Sequence, residues 1–422
     1  MEIGIDKPIQ RVNNGDQRWK DEREVQQPLQ EVLVLTKPLM VADRPAGDHS
    51  DDDDDVEYRT PNLVQRVLSL FKNVRPGSDL TTFQLPPSFN YPKSQLQAYG
   101  EMVYCAGKDI LSDCSSTKCD PLERFTRVVG WSISMNRPGI IGLVPYNPVL
   151  GETHHVSSRS LNVRLEQVSH RPPVTALHAT DHRHGVDMLW FQRPVPKFQG
   201  TRVEVEVQGK RTLKLVEHGE TYVMNSPNMT IRFIPPAVDW TGTVKVSCRE
   251  TGYEAELNYS TSSFFGRRSS AKHSVTGKIY KTSPPPDASP TPGNNYKLLY
   301  TFTVKIRDPN GGGERVIYNA KEVASKLKAP ILKDPQSVLP SESALVWSEV
   351  SRGILSRDWE KAKEAKRAVE EKQRDMAKAR RSRGEVWVPK YFTPSSNGGD
   401  DDPYEYSPIE TLVPPAPIVV PF

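Results

Sequence analysis

No apolar run in this sequence approaches the ~18 residues of a transmembrane helix. Its first residues, Met1-Glu2-Ile3-Gly4-Ile5-Asp6, lack the basic start and apolar stretch of a secretory signal. Four cysteines (Cys105, Cys114, Cys119 and Cys248) in 422 residues do not make a disulfide framework. Neither charge sign dominates: 56 Lys and Arg against 52 Asp and Glu leave a formal net charge of +4. That balance argues against a nucleic-acid binder, whose domain is normally strongly basic. These absences point to a soluble chain of the cytoplasm.

Enzyme signatures are missing as well. There is no HExxH, no C-x2-C pair for structural zinc, no G-x-S-x-G elbow and no P-loop. Histidines cluster at His154, His155, His170, His178, His182 and His184. His182 and His184 have the spacing for two zinc ligands, but no partner motif accompanies them. The cysteines read as buried free thiols. No metal, no cofactor and no nameable reaction is expected.

What is present is a chain long enough for two or three domains or one large barrel. It is 36% hydrophobic and 26% charged, with 37 prolines, so ordered structure with flexible segments is expected. Residues 1–60 are polar, carry the aspartate run 51–55, and read as a disordered acidic segment. The short apolar run 32–35 within it would serve as a strand or an anchor. From Pro61 the pattern changes. Leu63, Val64, Val67, Leu68, Leu70 and Phe71 fall at helical spacing, and Arg75-Pro76-Gly77 ends the helix. An extended stretch at 80–87 follows. Residues 93–104 and 121–131 read as helices.

From residue 162 to 318 the signal is β. Residues 201–207 alternate apolar and charged, and similar runs fall at 212–216, 229–234, 243–248, 253–259, 275–280, 296–306 and 315–318. Gly209, Gly219, Gly242 and Gly252 punctuate them. Strands at this spacing without intervening helices indicate an antiparallel sandwich or barrel. The glycines 311–313 lie between strand runs and read as a hairpin turn, and 283–293 reads as a loop. Residues 357–383 form a long charged helix, stopped by Gly384. Its apolar stripe is thin, so most of it should be solvated. The tail from Pro394 is acidic, then proline-rich, and is expected to be partly extended.

Two segments stand apart. Pro145-Tyr146-Asn147-Pro148-Val149-Leu150-Gly151-Glu152-Thr153 is followed by Glu166-Gln167-Val168-Ser169-His170-Arg171-Pro172-Pro173. Pro172 restricts Arg171 to extended geometry, which presents two donor side chains suited to an anion. These segments resemble the fingerprint of the oxysterol-binding-protein-related lipid-transfer family, E-Q-V-S-H-H-P-P preceded by N-P-x-L-G-E. The match extends over roughly residues 60–393 and includes Leu85-Pro86-Pro87 and Glu371-Lys372-Gln373-Arg374; the plant branch, with its short members, stands nearest.

The resemblance implies an α+β fold. It comprises a large antiparallel, nearly complete barrel around an apolar tunnel, an N-terminal lid helix and flanking helices, including the long charged C-terminal one. The expected division is 1–60 disordered, 61–393 lipid-binding (lid 61–87, helical segment 88–160, barrel 161–320, C-terminal helical subdomain 321–393) and 394–422 a tail. The implied ligands are a sterol or other membrane lipid and phosphatidylinositol 4-phosphate. The protein would act peripherally at membranes such as endoplasmic reticulum or Golgi contact sites.

The family's headgroup residues carry over onto His170, Lys366, Glu370 and Arg374. Two positions depart: Arg171 stands where the second histidine is usual, and Val144 where a lysine is. Losing that lysine removes a phosphate donor; Arg171 supplies a permanent charge and a planar fork that can bind phosphate bidentately. The lid contacts fall on Leu80, Thr81, Thr82, Phe83, Gln84 and Leu85. On a helix, positions i, i+4 and i+8 drift only ~40° per step, so Lys366, Glu370 and Arg374 should share a face. With no resemblance, that trio would read as an exposed salt-bridge ladder. The alternatives are an adaptor with a degenerate lipid site, recruiting partners through the acidic run and the basic helix, and, less favoured, an enzyme of lipid or ester metabolism. No phosphoinositide-reading module is expected within the first 60 residues, so membrane contact would come from the barrel's own surface or a partner.

Overall fold

A computed structural model describes residues 63–104, 119–136, 139–234, 236–260, 274–282, 329–395 and 404–421, with Leu111, Cys114 and Ser115, and, as backbone, 296–303, 305–307 and 315–316. The acidic run 51–55, the apolar run 32–35, the loop 283–293 and the glycines 311–313 lie outside the described residues.

The chain begins with α1 (Leu63–Leu70), β1 (Asn90–Ser94), α2 (Gln95–Tyr104), α3 (Pro121–Ser134) and β2 (Val144–Tyr146). Then follow β3 (Thr153–Ser158), β4 (Leu161–His170), β5 (Pro173–Asp181), β6 (Val186–Phe198), β7 (Arg202–Gln208), β8 (Arg211–Leu215), β9 (Glu220–Met224) and β10 (Asn228–Phe233). Next come β11 (Pro236–Cys248), β12 (Tyr253–Ser260), β13 (Ser274–Thr282), β14 (Tyr296–Thr303), β15 (Lys305–Arg307) and β16 (Arg315–Val316). The last part holds β17 (Ile331–Leu332), α4 (Ser343–Val346), α5 (Ser348–Leu355), α6 (Trp359–Ser382), β18 (Phe392–Pro394), β19 (Tyr406–Pro408) and β20 (Ile418–Val419).

Residues 90–94, expected in part as helix, form a strand paired parallel to β2, because Pro92 disfavours helical backbone at the residue before it. The helix begins only after Ser94. There the Ser94 amide donates to the Gln97 side chain at 2.9 Å and the Ser94 hydroxyl faces the Leu96 amide at 3.4 Å, a capping arrangement that satisfies otherwise unpaired first-turn groups. Asp120 caps α3 in the same way, accepting from Leu122 and Glu123 at 2.9 and 3.1 Å, with Pro121 in the first turn.

Sixteen strands form one sheet in the order β16-β15-β14-β13-β12-β11-β10-β7-β6-β5-β4-β3-β20-β17, with β8 and β9 as a side branch. All its pairings are antiparallel except that of β20 with β3. Val163, Leu165, Leu177, Met188, Leu213, Tyr222, Val246, Leu257 and Ile279, from eight different strands, pack in one buried cluster with Phe125, Val128 and Trp131 of α3. A sheet that sends one face from so many strands to a common core is wrapped into a barrel. Arg124 anchors α3 inside it: its Nε donates to Glu220 at 3.1 Å, and Tyr222 donates to the same carboxylate at 2.6 Å.

The wall forks. β6 pairs with β8 along its first half and with β7 along its second, and β11 rejoins the arms by pairing with β10 and then β9. Side chains stitch the fork: the Val207 amide donates to Asn228 at 3.0 Å, and the Lys245 amide to Asn225 at 2.7 Å.

The Val203, Val205 and Val207 face of β7 does not join the main core. With Phe198 and Phe233 it forms a second cluster, covered by Val67, Phe71, Val74, Leu80 and Phe83. The Phe71 ring stacks 5.3, 5.0 and 5.4 Å from the rings of Phe83, Phe198 and Phe233. Segment 63–85 therefore lies as a cover on one face of the wall. Its backbone continues the sheet, with the Leu80 amide donating to Pro196 at 2.9 Å and the Phe198 amide to Ser78 at 3.0 Å.

The C-terminal tail, expected as proline-rich and partly extended, is joined to the fold at two places. β19 pairs with β18, and β20 adds to the parallel edge of β3. Val413, Ala416, Ile418 and Val420 are buried. β20 lies between β3 and β17, and the prolines at 414, 415, 417 and 421 flank it, outside the ladder positions where a missing N–H would break a pairing.

Candidate functional site

The two signature segments hold each other. The Gly151 amide donates to the Gln167 carbonyl at 3.0 Å, and the Gln167 amide to the Glu152 carbonyl at 2.9 Å. Gly151 has φ +77° and a Cβ there would meet the Trp387 ring at 2.4 Å, so only glycine fits this turn. Glu152 is fully buried and accepts from Ser343 at 2.7 Å, from the Trp347 indole at 2.9 Å, from the Val149 amide at 3.0 Å and from Ser94. Burial pushes its carboxyl above the usual carboxylate range while these donors pull it back. Glu166 accepts from the Lys390 and Tyr391 amides at 2.7 and 2.8 Å, and burial pushes its pKa up to about 7. Gln167 receives the Thr175 hydroxyl at 2.6 Å and donates to the Ser169 carbonyl at 2.9 Å. These residues brace the site; their polar atoms are already committed.

The helix α6 is set by close backbone approach. A Cβ on Gly353 of α5 would meet the Ala362 backbone at 2.7 Å, which lets the two helices press together. Trp347, Val350, Ile354 and Ala362 form their seam, with Val149 and Val369 against it. Asp358 caps α6 by accepting from the Lys361 amide at 3.1 Å.

Lys366 is buried at 9% exposure. Its ammonium donates to the Leu85 carbonyl in the cover and to Asn90 Oδ1 at 2.9 Å. Asn90 in turn donates to the Val144 and Pro145 carbonyls, both at 3.1 Å. Val144, the position of a missing lysine, is thus linked to Lys366 through one asparagine. Burial lowers the Lys366 pKa to about 8, against the opposing charge of Glu370. Glu370 is half-buried and Arg374 exposed, so the successive rotations carry the trio out of the cleft, and the one-face expectation holds only for the first two. Gln373, at i+7 and only ~20° off the Lys366 line, is buried at 7% with Oε1 unpaired among the described residues. Sequence reasoning passed over Gln373 and Asn90; heptad spacing from Lys366 is the signal for the first, and Asn90 carries none.

His170 ends β4 half-buried. It meets the Pro148 carbonyl, and its Nδ1 has no partner among the described residues. Burial first, then the Arg171 charge, holds its pKa below the ordinary value, so the ring is neutral near pH 7. Arg171 is exposed and Pro173 buried; the Arg171–Pro172 bond is cis. Segment 144–148 therefore joins the two halves, reaching Lys366 through Asn90 and His170 through Pro148. Asn147 is exposed and Pro148 buried. In the cover, Leu80 and Phe83 face the wall, Thr82 and Gln84 face out, and Asp79 accepts from the Thr81 amide at 2.7 Å, bending the segment into a turn.

Four other histidines of the cluster are engaged elsewhere: His154 with Glu342 at 2.6 Å, His178 with Asp187 at 3.0 Å, His184 with Asp181 at 2.8 Å and His155 with the Pro414 carbonyl at 3.0 Å. Among the described residues, no helix is long and apolar enough to cross a membrane. A depression of about 380 Å³ at the fork is lined by Glu206, Gln208, Asn225, Ser226, Asn228 and Thr243 among others, a polar lining suited to water and not to a hydrocarbon chain.

Comparison with known proteins places this architecture. Residues 67–411 match the family model described as oxysterol-binding protein. The chain is 48% identical over 394 residues to oxysterol-binding protein-related protein 4B of Arabidopsis thaliana, covering 92% of this chain and 97% of that one. It is 28% identical over 380 residues to oxysterol-binding protein-related protein 9 of Homo sapiens, covering 82% and 49%. Among solved structures, the Osh1 ORD domain in complex with cholesterol aligns with a TM-score of 0.59 at 20% identity, covering 90% and 93%. The Osh3 ORD from Saccharomyces cerevisiae in complex with PI(4)P aligns with a TM-score of 0.60 at 22% identity, covering 84% and 91%. With a barrel of this topology, a cover over its wall and the paired signature segments in place, the chain belongs to the oxysterol-binding protein family of lipid-binding and lipid-transfer proteins.

Proposed function

We propose that this chain extracts one lipid from a membrane, encloses it in the barrel beneath segment 63–85, and delivers it to another membrane, with a sterol and phosphatidylinositol 4-phosphate as its ligands. The observation that carries this reading is Lys366, a buried cation whose hydrogen bonds go to the cover and to Asn90 and not to a carboxylate. A phosphate arriving there would gain a charged donor and free the cover's carbonyl, which couples headgroup binding to the cover's position. Glu370 accepts a ring hydroxyl, Arg374 and Arg171 reach the phosphate from the rim, and His170, whose one N–H is given to the Pro148 carbonyl, offers Nδ1 as an acceptor for a second ring hydroxyl.

The enclosure follows from energetics. Exposing lipid chains to water costs ~0.8 kcal/mol per CH₂, so a sixteen-carbon chain costs on the order of 12 kcal/mol. Headgroup contacts cannot supply that sum, and an apolar interior can. The amphipathic helix α1, with Leu68 exposed on its outer side at 40%, is the element that would meet the bilayer as the cover opens. With Val144 in place of a cation, phosphoinositide recognition rests on Lys366 and Arg171. Extraction from liposomes of defined composition tests the reading: uptake of sterol or phosphatidylinositol 4-phosphate at one molecule per chain is expected. Uptake of neither would favour an adaptor role and overturn it.

A further inference from the structure

A cation lies in the main core without a carboxylate partner among the described residues. Arg211, the first residue of β8, is 2% exposed, and the groups that act on its charge are the phenols of Tyr259 and Tyr99, not a carboxylate. Its Nη2 donates to Ser226 at 2.9 Å, Nη1 faces the Met135 sulfur at 3.7 Å, and the guanidinium stacks 4.6 Å from the Trp190 ring centroid. Its Nε has no hydrogen-bond partner among the described residues, and neither has the indole Nε1 of Trp190 nor Gln192 Oε1.

These groups form one cluster. Trp190 is the cross-strand neighbour of Arg211, and the Tyr99 ring lies 5.2 Å from that of Trp190. The Tyr99 hydroxyl engages Gln192. Tyr259 receives a hydrogen bond from Asn136 at 2.8 Å. The members come from α2, the end of α3, β6, β8 and β12, elements that meet only inside the barrel. Trp131, one helical turn before Met135, adds another indole N–H without a partner. Burial pushes the Arg211 pKa down to about 10, which still leaves it charged near neutrality.

The inventory is lopsided toward donors. A guanidinium N–H and two indole N–H groups await acceptors, and a full positive charge awaits a counter-charge. Charged groups are rarely buried without a partner, because desolvation is costly unless an opposite charge or a hydrogen bond offsets it. We propose that Arg211 recognises the inner, polar end of the bound lipid, and that it favours an amphiphile ending in an acidic oxygen group, sulfate or carboxylate, over one ending in a neutral hydroxyl. The planar fork pairs with two oxygens of such a group, Trp190 donates a further hydrogen bond, and the stacked ring holds the guanidinium in register. A hydroxyl would use the Gln192 acceptor but leave the charge uncompensated. This inference rests on the reading that an apolar ligand fills the barrel.

Cholesterol and cholesteryl sulfate share one apolar body and differ at that end. Their affinities for the full chain, measured by displacement of a fluorescent sterol, test the proposal. The wild-type chain is expected to bind the sulfate at least tenfold tighter. Arg211→Met is expected to bring the ratio within twofold of parity, and Arg211→Lys, which keeps the charge but loses the fork, to give an intermediate ratio. Should the methionine variant fail to fold, the wild-type ratio and the lysine variant still decide. Equal wild-type affinities, or a sulfate preference unchanged by the substitutions, would overturn the assignment while leaving lipid carriage standing. Binding of neither sterol would overturn carriage of sterols itself, and the inference with it.

Discussion

The Lys366 ammonium on α6 donates to the carbonyl of Leu85, 281 positions earlier in the chain. One hydrogen bond thus ties the long charged helix to the end of the cover, at the place where a lipid phosphate is proposed to sit. Closing the cover supplies one of the buried cation's two acceptors, Asn90 being the other.

Substituting this lysine separates the two ligands. Lys366→Ala is expected to abolish phosphatidylinositol 4-phosphate extraction from liposomes while sterol extraction persists. Lys366→Arg restores charge but not length, and part of the phosphoinositide uptake should return. Equal loss of both ligands in Lys366→Ala would point to a folding defect and remove Lys366 from the site.

The same group sets a pH dependence. Its folded pKa of about 8 lies below the ordinary 10.5. Between those values the unfolded chain binds the extra proton, so the Lys366 contribution to stability rises with pH in that window. Phosphoinositide uptake moves the opposite way: the ammonium is lost as pH climbs past about 8, and uptake should fall, with the midpoint raised by the bound phosphate. Uptake measured from pH 7 to 10 checks this, and a flat profile would contradict it.

Phe71 anchors the cover through three stacked rings. Phe71→Ala should destabilise closure by on the order of 2 kcal/mol, less than the ~3–5 kcal/mol of a fully buried phenylalanine, because Phe71 is half-buried. Hydrogen exchange of the 63–85 amides should accelerate while that of β11 and β12 stays unchanged. Removing residues 61–85 entirely should abolish extraction from liposomes; retained extraction would end the assignment of this segment as a lid.

Gly151→Ala tests the brace between the signature segments. The left-handed backbone alone costs an L-residue roughly 1–2 kcal/mol, and the added methyl displaces Trp387. A lowered melting temperature is expected, with loss of protection at residues 166–170. An unchanged melting curve would show that the turn can relax.

The β content, the cover helix and α6 were legible because each depends on local pattern: alternation in β7, apolar spacing from Leu63 to Phe71, and an uninterrupted charged run ending at Gly384. The strand at Asn90–Ser94 was missed because its partner, β2, lies about fifty residues away. The role of Glu152 and Glu166 was equally hidden. Both read only as members of the signature segments, yet each accepts backbone or side-chain donors from distant segments. Residue identity does not reveal which carboxylates are already satisfied.

Periodicity, turn chemistry and two dense signature segments, by themselves, determined that this chain builds an antiparallel β wall with a covering helix and a family fingerprint. Only the tertiary structure decided that Lys366 meets the cover, that Arg374 faces solvent, that the tail joins β3, and that phenols surround the enclosed Arg211. Those outcomes depend on contacts between positions far apart in sequence. Burial and partnership, which set a group's charge and availability, exist only once such positions have been brought together.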